Sequence, residues 1–161
     1  MGSRASFLNH PIHPMLVPFP IALWIFSLIS DAVYGLGWGG TLWNEMAFYT
    51  MAGGIVGALA AAVPGLIDYL SMSDPETSKI AKMHMIVNLT VVGIFIANLW
   101  LRTMFAPGAG LPVVLSVIGV ALLGFSGWLG GELVYVHGVG VDSPAERSSS
   151  DPRRISSTTE K

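Results

Sequence analysis

The chain has 161 residues, of which 52% are hydrophobic and 11% are charged, whereas roughly 25% of the residues in an average soluble domain are charged. This composition predicts an integral membrane protein. The net charge of −2 offers no basic surface for nucleic acid, and the lack of cysteine excludes disulfides, thiolate metal sites and covalently attached haem. Any metal must therefore be held by histidine and carboxylate, and any haem must bind non-covalently.

Four apolar segments are long enough to cross a bilayer, which takes about 20 helical residues. They are predicted at about residues 15–34, 42–69, 80–104 and 111–136. The connections between them are short, and short links between long helices favour antiparallel neighbours. The predicted fold is therefore all-α, an integral membrane four-helix bundle with up-down-up-down topology.

The sequence changes character after the fourth segment. Residues 142–161 are rich in serine, proline and charge and lack apolar periodicity, so we expect a disordered polar tail after a transmembrane domain over 1–141. No internal repeat is predicted, because Pro18 and Pro20 in the first segment have no counterpart in the third.

Basic residues predict the orientation of the bundle, because short loops rich in Lys and Arg stay in the cytoplasm. In an up-down bundle the N-terminus, the second link and the tail lie on one side. Arg102 lies on the other side, and the cytoplasmic set comprises Arg4, Lys79, Lys82, Arg147, Arg153, Arg154 and Lys161. The chain is therefore predicted to be a multi-pass protein of the cell inner (plasma) membrane with both termini in the cytoplasm.

Histidines and carboxylates gather at this predicted cytoplasmic end of the bundle. The set comprises His10, His13, Asp68, His84, Glu132 and His137. Imidazole is the commonest metal ligand in proteins, and an ionisable group within a membrane segment is a functional candidate by default. His84 is the most informative member, because it lies inside a segment and shares a helix face with Asn88 and Asn98. The two asparagines are typical of an interhelical polar network.

Several of these residues also have a structural explanation. His10 can cap the first helix at the wet interface, and Asp68 can accept hydrogen bonds from backbone groups at the following turn. Near the opposite end, Asp31 and Glu45 can pair with Arg102 or be hydrated. Stripes of glycine and alanine in the second and fourth segments can serve close helix packing or leave room for a flat macrocycle.

Four motifs, in the same order along the chain, resemble those of a known family. They are His10-Pro11-Ile12-His13-Pro14 with Leu16-Val17-Pro18-Phe19-Pro20-Ile21, then Gly65-Leu66-Ile67-Asp68-Tyr69, then His84 with Asn88, and then Gly130-Gly131-Glu132-Leu133-Val134-Tyr135 before His137-Gly138-Val139-Gly140-Val141. The chain up to Val141 resembles the bacterial membrane family catalogued as domain of unknown function 2231. The resemblance implies a membrane domain without an established activity, and the fusion of some members to Rieske or cytochrome-type domains hints at redox partners.

Three functions remain open for this membrane-embedded chain. In the first, haem b is held by two axial imidazoles, those of His84 and of either His13 or His10, and serves electron transfer. Lys79 and Lys82 then pair with the haem propionates. The second is a divalent-metal site, whose candidate ligands are His10, His13, Asp68, His84, Glu132 and His137. The third is a cofactor-free accessory subunit of a redox or other membrane complex, or of a homo-oligomer; enzymatic turnover has the least support, because no activated nucleophile is present in the spans.

Overall fold

The computed structural model describes residues 3–8, 10–108 and 110–141. Its elements, in chain order, are β1 Ser6–Phe7, β2 His10–Pro11, α1 Ile12–Leu16, α2 Pro18–Gly35, α3 Thr41–Leu70, α4 Pro75–Arg102 and α5 Gly110–Tyr135. The strands β1 and β2 form one short antiparallel pair near the N-terminus. Apart from this strand pair the described elements are helices, so the predicted all-α four-helix bundle is confirmed. The predicted tail over 142–161 lies outside the described residues.

Four helical segments in the described chain are long and apolar enough to cross a membrane. They are Ile12–Gly35, Thr41–Leu70, Pro75–Arg102 and Gly110–Tyr135. The third begins five residues before its predicted start at 80, because polar residues make its first turn. Asp74 caps this turn by accepting a hydrogen bond from the Thr77 N–H at 2.8 Å, and Pro75 follows at the first helical position. The chain is thus a multi-pass membrane protein, and the cytoplasmic placement of its termini remains a prediction from charge.

The first span is divided into α1 and α2 by proline. Pro18 and Pro20 lack the N–H groups that would complete the helical hydrogen-bond ladder. Val17 still donates to the His13 carbonyl at 3.1 Å, and Ile21 donates to the Val17 carbonyl at 3.4 Å. The two pieces therefore form one interrupted span, and α1 holds His13 close to α3.

The four spans pack as two hairpins that close into a ring. Helices α2 and α3 form the first hairpin, α4 and α5 form the second, and contacts of α3 with α4 and of α2 with α5 join them. The buried centre comprises Trp24, Met51, Val91, Phe95 and Leu123. The Trp24 and Phe95 rings stack there with centroids 4.3 Å apart and planes 10° apart. This stack joins one hairpin to the other.

The two hairpins are structural repeats, so the prediction that the chain lacks an internal repeat was wrong. Residues of α1 and α2 correspond to residues of α4 that lie 71 positions later. Residues of α3 correspond to residues of α5 that lie 65 positions later, as Ala47 corresponds to Pro112. The equivalent pairs are His13 and His84, Trp24 and Phe95, Ser27 and Asn98, Asp31 and Arg102, Ala47 and Pro112, Gly54 and Gly119, Ala61 and Ser126, and Gly65 and Gly130.

Equivalent positions make equivalent contacts. The Ser27 hydroxyl donates to the Ala47 carbonyl at 2.7 Å, and the Asn98 amide donates to the Pro112 carbonyl at 2.9 Å. In each hairpin a large ring lies against a glycine: Trp24 against Gly54 and Phe95 against Gly119 are the central examples. Because α2 and α4 run in the same direction, a two-fold rotation about an axis along the bundle relates the repeats.

Proline hid the repeat at the level of sequence. Pro18 and Pro20 are equivalent to Leu89 and Val91, which share only their apolar character with proline. Pro20 and Val91 are nevertheless both buried. The fold therefore preserves burial at this position while the residue type differs.

Candidate functional site

His13 and His84 face each other across the two-fold axis. Their ring centroids are 6.4 Å apart, and their planes are nearly perpendicular, at 89°. His13 comes from α1 and His84 from α4, so each repeat contributes one imidazole. Both side chains are partly buried.

Backbone carbonyls fix the proton position in both rings. His13 Nδ1 lies 2.7 Å from the Ala61 carbonyl oxygen, and His84 Nδ1 lies 2.9 Å from the Ser126 carbonyl oxygen. Since a carbonyl oxygen only accepts, each Nδ1 carries the proton and donates it. The lone pair of each neutral ring is then on Nε2, which is the arrangement of a metal-ligating histidine oriented by a backbone carbonyl.

Two glycines provide the space for these rings. A Cβ atom on Gly65 would stand 2.8 Å from His13 Nδ1, and one on Gly130 would stand 3.2 Å from His84 Cε1. The first contact is too short for any side chain unless the ring moves. The glycine stripes predicted for helix packing or for a macrocycle therefore receive the histidines at these two positions.

The two histidines differ in what contacts Nε2. Asn88 Nδ2 lies 3.0 Å from His84 Nε2 and also 3.0 Å from the His84 carbonyl oxygen, so this amide donates within α4. The position equivalent to Asn88 in the first repeat is Val17, which has no polar side chain. A second difference is Ser126, whose hydroxyl is 3.2 Å from His84 Nδ1, whereas Ala61 has none. The site is therefore two-fold in its framework but not in its polar contacts.

The structure does not bring the other candidate ligands to this pair. His10 is exposed on β2, with Nδ1 2.8 Å from the Leu8 carbonyl oxygen. Asp68 accepts hydrogen bonds from the Ser3 hydroxyl at 2.8 and 2.9 Å and from the Ala5 N–H at 3.0 Å. Its carboxylate thus anchors the N-terminal segment to the end of α3. Asp68 therefore fits the explanation of a structural hydrogen-bond acceptor. The groups that donate to it belong to the N-terminal segment and not to the following turn.

His137 and Glu132 also lie apart from the histidine pair. His137 Nδ1 is 3.1 Å from the Thr77 hydroxyl, which itself donates to Asp74. Hydrogen bonds from the Thr77 hydroxyl and N–H lower the pKa of the Asp74 carboxyl. Glu132 is partly buried, and no hydrogen bond or ion pair joins its carboxylate to another described residue.

The predicted divalent-metal cluster is not assembled. Within residues 3–8, 10–108 and 110–141, no group of three or more His, Cys, Asp or Glu side chains is placed to hold a metal ion. The expected convergence was inferred from depth in the membrane, and side chains at one depth still point to different sides of the bundle. Lys79 and Lys82, the predicted propionate partners, are exposed on the first two turns of α4.

A second polar cluster lies at the other end of the bundle. Arg102 donates to both carboxylate oxygens of Asp31, at 2.8 Å from Nη1 to Oδ1 and through a second bond from Nη2 to Oδ2. Asn98 Nδ2 lies 2.9 Å from both the Pro112 carbonyl and the Ser116 hydroxyl, joining α4 to α5. Of the two explanations for Asp31, pairing with Arg102 is the one realised.

Sequence reasoning missed the residues that hold the histidines. The carbonyls of Ala61 and Ser126 carry no residue-type signal, because any residue offers a backbone carbonyl. Gly65 and Gly130 were recognised only as members of motifs and of the small-residue stripes. The available signal was spacing: His13 precedes Trp24 by the same interval as His84 precedes Phe95, and Gly54 precedes Gly65 as Gly119 precedes Gly130.

Comparison with known proteins gives one informative match. A family model described as predicted membrane protein (DUF2231) matches residues 9–143. No curated protein and no solved structure matches the chain. The matched region covers all four spans and includes both His13 and His84.

Proposed function

The chain belongs to the DUF2231 family of predicted membrane proteins, and from that premise we propose that it binds haem b between His13 and His84 and transfers electrons. The observation that carries this proposal is the pair of imidazoles, one from each repeat. Each ring donates a hydrogen bond from Nδ1–H to a backbone carbonyl. Nε2 is therefore the candidate ligating atom of each ring, and in His84 the Asn88 amide also contacts it. We also propose that the protein exchanges electrons with a redox or other membrane complex.

The donor set suits haem better than a divalent ion held by protein alone. Haem would bring four metal ligands of its own, so that His13 and His84 would suffice to hold it, whereas protein sites for zinc use three or four protein ligands. The described residues offer two imidazoles at this point and no third ligand. The two imidazoles lie close together, with ring centroids 6.4 Å apart.

The chain's own residues would orient the ligands and limit the chemistry. The Ala61 and Ser126 carbonyls hold the rings and fix their orientation. His13 and His84 would hold the haem, which would supply one-electron transfer when bound. Lys79 and Lys82 lie at the same end of α4 as His84 and are the proposed partners of the propionates.

A cofactor-free accessory subunit is the second candidate, and Asn88 favours it. The Asn88 amide already satisfies Nε2 of His84 at 3.0 Å. With Nδ1 bonded to Ser126 as well, both nitrogens of His84 have protein partners. A histidine satisfied in this way can join α4 to α5 without any cofactor.

Absorption spectra of the detergent-purified full chain, oxidised and dithionite-reduced, test the proposal together with haem and metal analysis. We expect a Soret band that shifts on reduction. His13→Ala and His84→Ala are each expected to lose the bound haem while the protein remains in the membrane, because each removes one axial ligand. His10→Ala is the matched control, since His10 is exposed and outside the pair, and it is expected to keep the band.

Two results would contradict the haem assignment. One is wild-type protein that lacks haem after expression with a haem precursor and leaves the spectrum of added haemin unchanged. The other is stoichiometric divalent metal that disappears in His84→Ala, which would favour a metal site instead.

Asn88→Val separates the two candidate functions. The substitution copies the equivalent residue, Val17, and removes the amide that competes for His84 Nε2. If Nε2 ligates haem, we expect titration with haemin to show binding roughly two- to tenfold tighter, the worth of one hydrogen bond. If the network is structural, we expect a lower melting temperature and no spectral effect. Weaker haem binding by this variant would contradict a competing role for Asn88.

A further inference from the structure

Asp31 and Arg102 are an exception among the pairs that meet on the two-fold axis. His13 faces His84 and Trp24 stacks on Phe95, so equivalent positions there hold similar side chains. Asp31 and Arg102 are also equivalent, 71 positions apart, but they carry opposite charges and bind each other. At this level the repeats are complementary and not alike.

The pair is withdrawn from solvent, so the sign of each charge matters. The Arg102 and Asp31 side chains are 8% and 5% exposed. The Ser116 hydroxyl lies 3.3 Å from Arg102 Nη2 and 3.4 Å from Asp31 Oδ2, and therefore contacts both partners. A buried charge without its counter-ion is strongly unfavourable.

The repeat creates a choice of partners for each hairpin, because both hairpins present a histidine and a large ring at equivalent positions. Because the two hairpins present similar faces, the first hairpin of one chain could also pack against the first hairpin of a second copy. That arrangement would bury two Asp31 carboxylates against each other. Pairing of two second hairpins would likewise oppose two Arg102 guanidinium groups. Like charges at such a point disfavour the wrong partner, which is how specificity is achieved between similar interfaces.

We propose that the Asp31–Arg102 pair directs the first hairpin onto the second hairpin of the same chain and prevents identical hairpins of two copies from pairing. The proposal rests on the repeat and on the buried pair, and it is independent of any bound cofactor. It has a specific consequence: since the two positions are equivalent, the residues can be exchanged.

The first test compares D31R, R102D and the double exchange D31R/R102D in the full chain. We expect each single variant to melt roughly 10 °C lower than wild type in detergent, because it places like charges on the axis. The double exchange is expected to recover most of this loss and to keep the wild-type elution volume. A double exchange as unstable as the single variants, or single variants as stable as wild type, would overturn the proposal.

Two further variants test position and specificity. S30D/D31S keeps the composition of α2 but moves the carboxylate by one residue, about 100° around the helix, and we expect it to melt like the single variants. D31L/R102M removes both charges and thus the element that distinguishes the hairpins. We expect this variant to fold and to gain a dimeric fraction by light scattering. If it keeps the oligomeric state of wild type, the pair does not determine partner choice.

Discussion

Arg102→Met is expected to lower the free energy of unfolding by about 3–5 kcal/mol, because it leaves the Asp31 carboxylate buried without its counter-ion. In the wild-type protein this carboxylate receives two hydrogen bonds from Arg102 and is 5% exposed. Among the described residues, the hydrogen-bond donor that remains after the substitution is the Ser116 hydroxyl, at 3.4 Å. Equilibrium unfolding in mixed micelles of a mild detergent and sodium dodecyl sulfate measures the loss.

Glu45→Gln is the control for this substitution. Glu45 lines a cavity of about 120 Å³ beside Arg102, together with Asn44, Phe48 and Tyr49, but its side chain is exposed and it forms no ion pair with Arg102. Its replacement is expected to change stability by less than about 0.5 kcal/mol, as surface substitutions do. The prediction for Arg102 is contradicted if the two variants unfold alike.

Gly54→Ala is expected to destabilise the protein by about 1–3 kcal/mol, because the added Cβ overpacks the centre of the bundle. That atom would stand 2.5 Å from both Cδ1 and Nε1 of Trp24. The indole is 2% exposed, stacks on Phe95 and donates to the Met51 carbonyl at 3.2 Å. Any shift that relieves the clash therefore disturbs both the stack and this hydrogen bond.

Gly53→Ala provides a neighbouring control in the same helix. The nearest atom to its added Cβ is Leu23 Cδ1, at 3.4 Å, which is an ordinary contact. Since alanine is favoured over glycine in helices by about 1 kcal/mol, we expect this variant to be as stable as wild type or more stable. Thermal melting in detergent compares the two substitutions, and equal melting temperatures for both would show that the Trp24 pocket can relax.

Hydropathy and residue type determined the architecture. Four apolar segments with short links predicted the bundle, because a backbone in lipid must satisfy its hydrogen bonds within each helix. Helical periodicity placed Asn98 on one helix face with His84, and Asn98 is fully buried. The sequence also singled out His13 and His84 as one possible ligand pair among several.

Sequence patterns did not predict contacts that depend on the direction in which a side chain points from its helix. Depth in the membrane follows from residue number, since each helical residue rises about 1.5 Å. The direction in which a side chain points from the bundle depends instead on how the helices pack. Asp68, His137 and His84 lie near one end of the bundle, yet each binds a different neighbour: Ser3, Thr77 and Ser126 respectively.

By itself, then, the sequence determined the class of protein, the number of spans and the residue types available for chemistry, because these depend on composition and on local periodicity. The tertiary structure alone decided that the two hairpins are repeats, that His13 and His84 meet on their axis, and that Asp31 pairs with Arg102. Those contacts join residues 71 positions apart. They arise from helix packing around a shared axis. In this packing glycines make room for the large rings, and backbone carbonyls accept hydrogen bonds from side-chain donors.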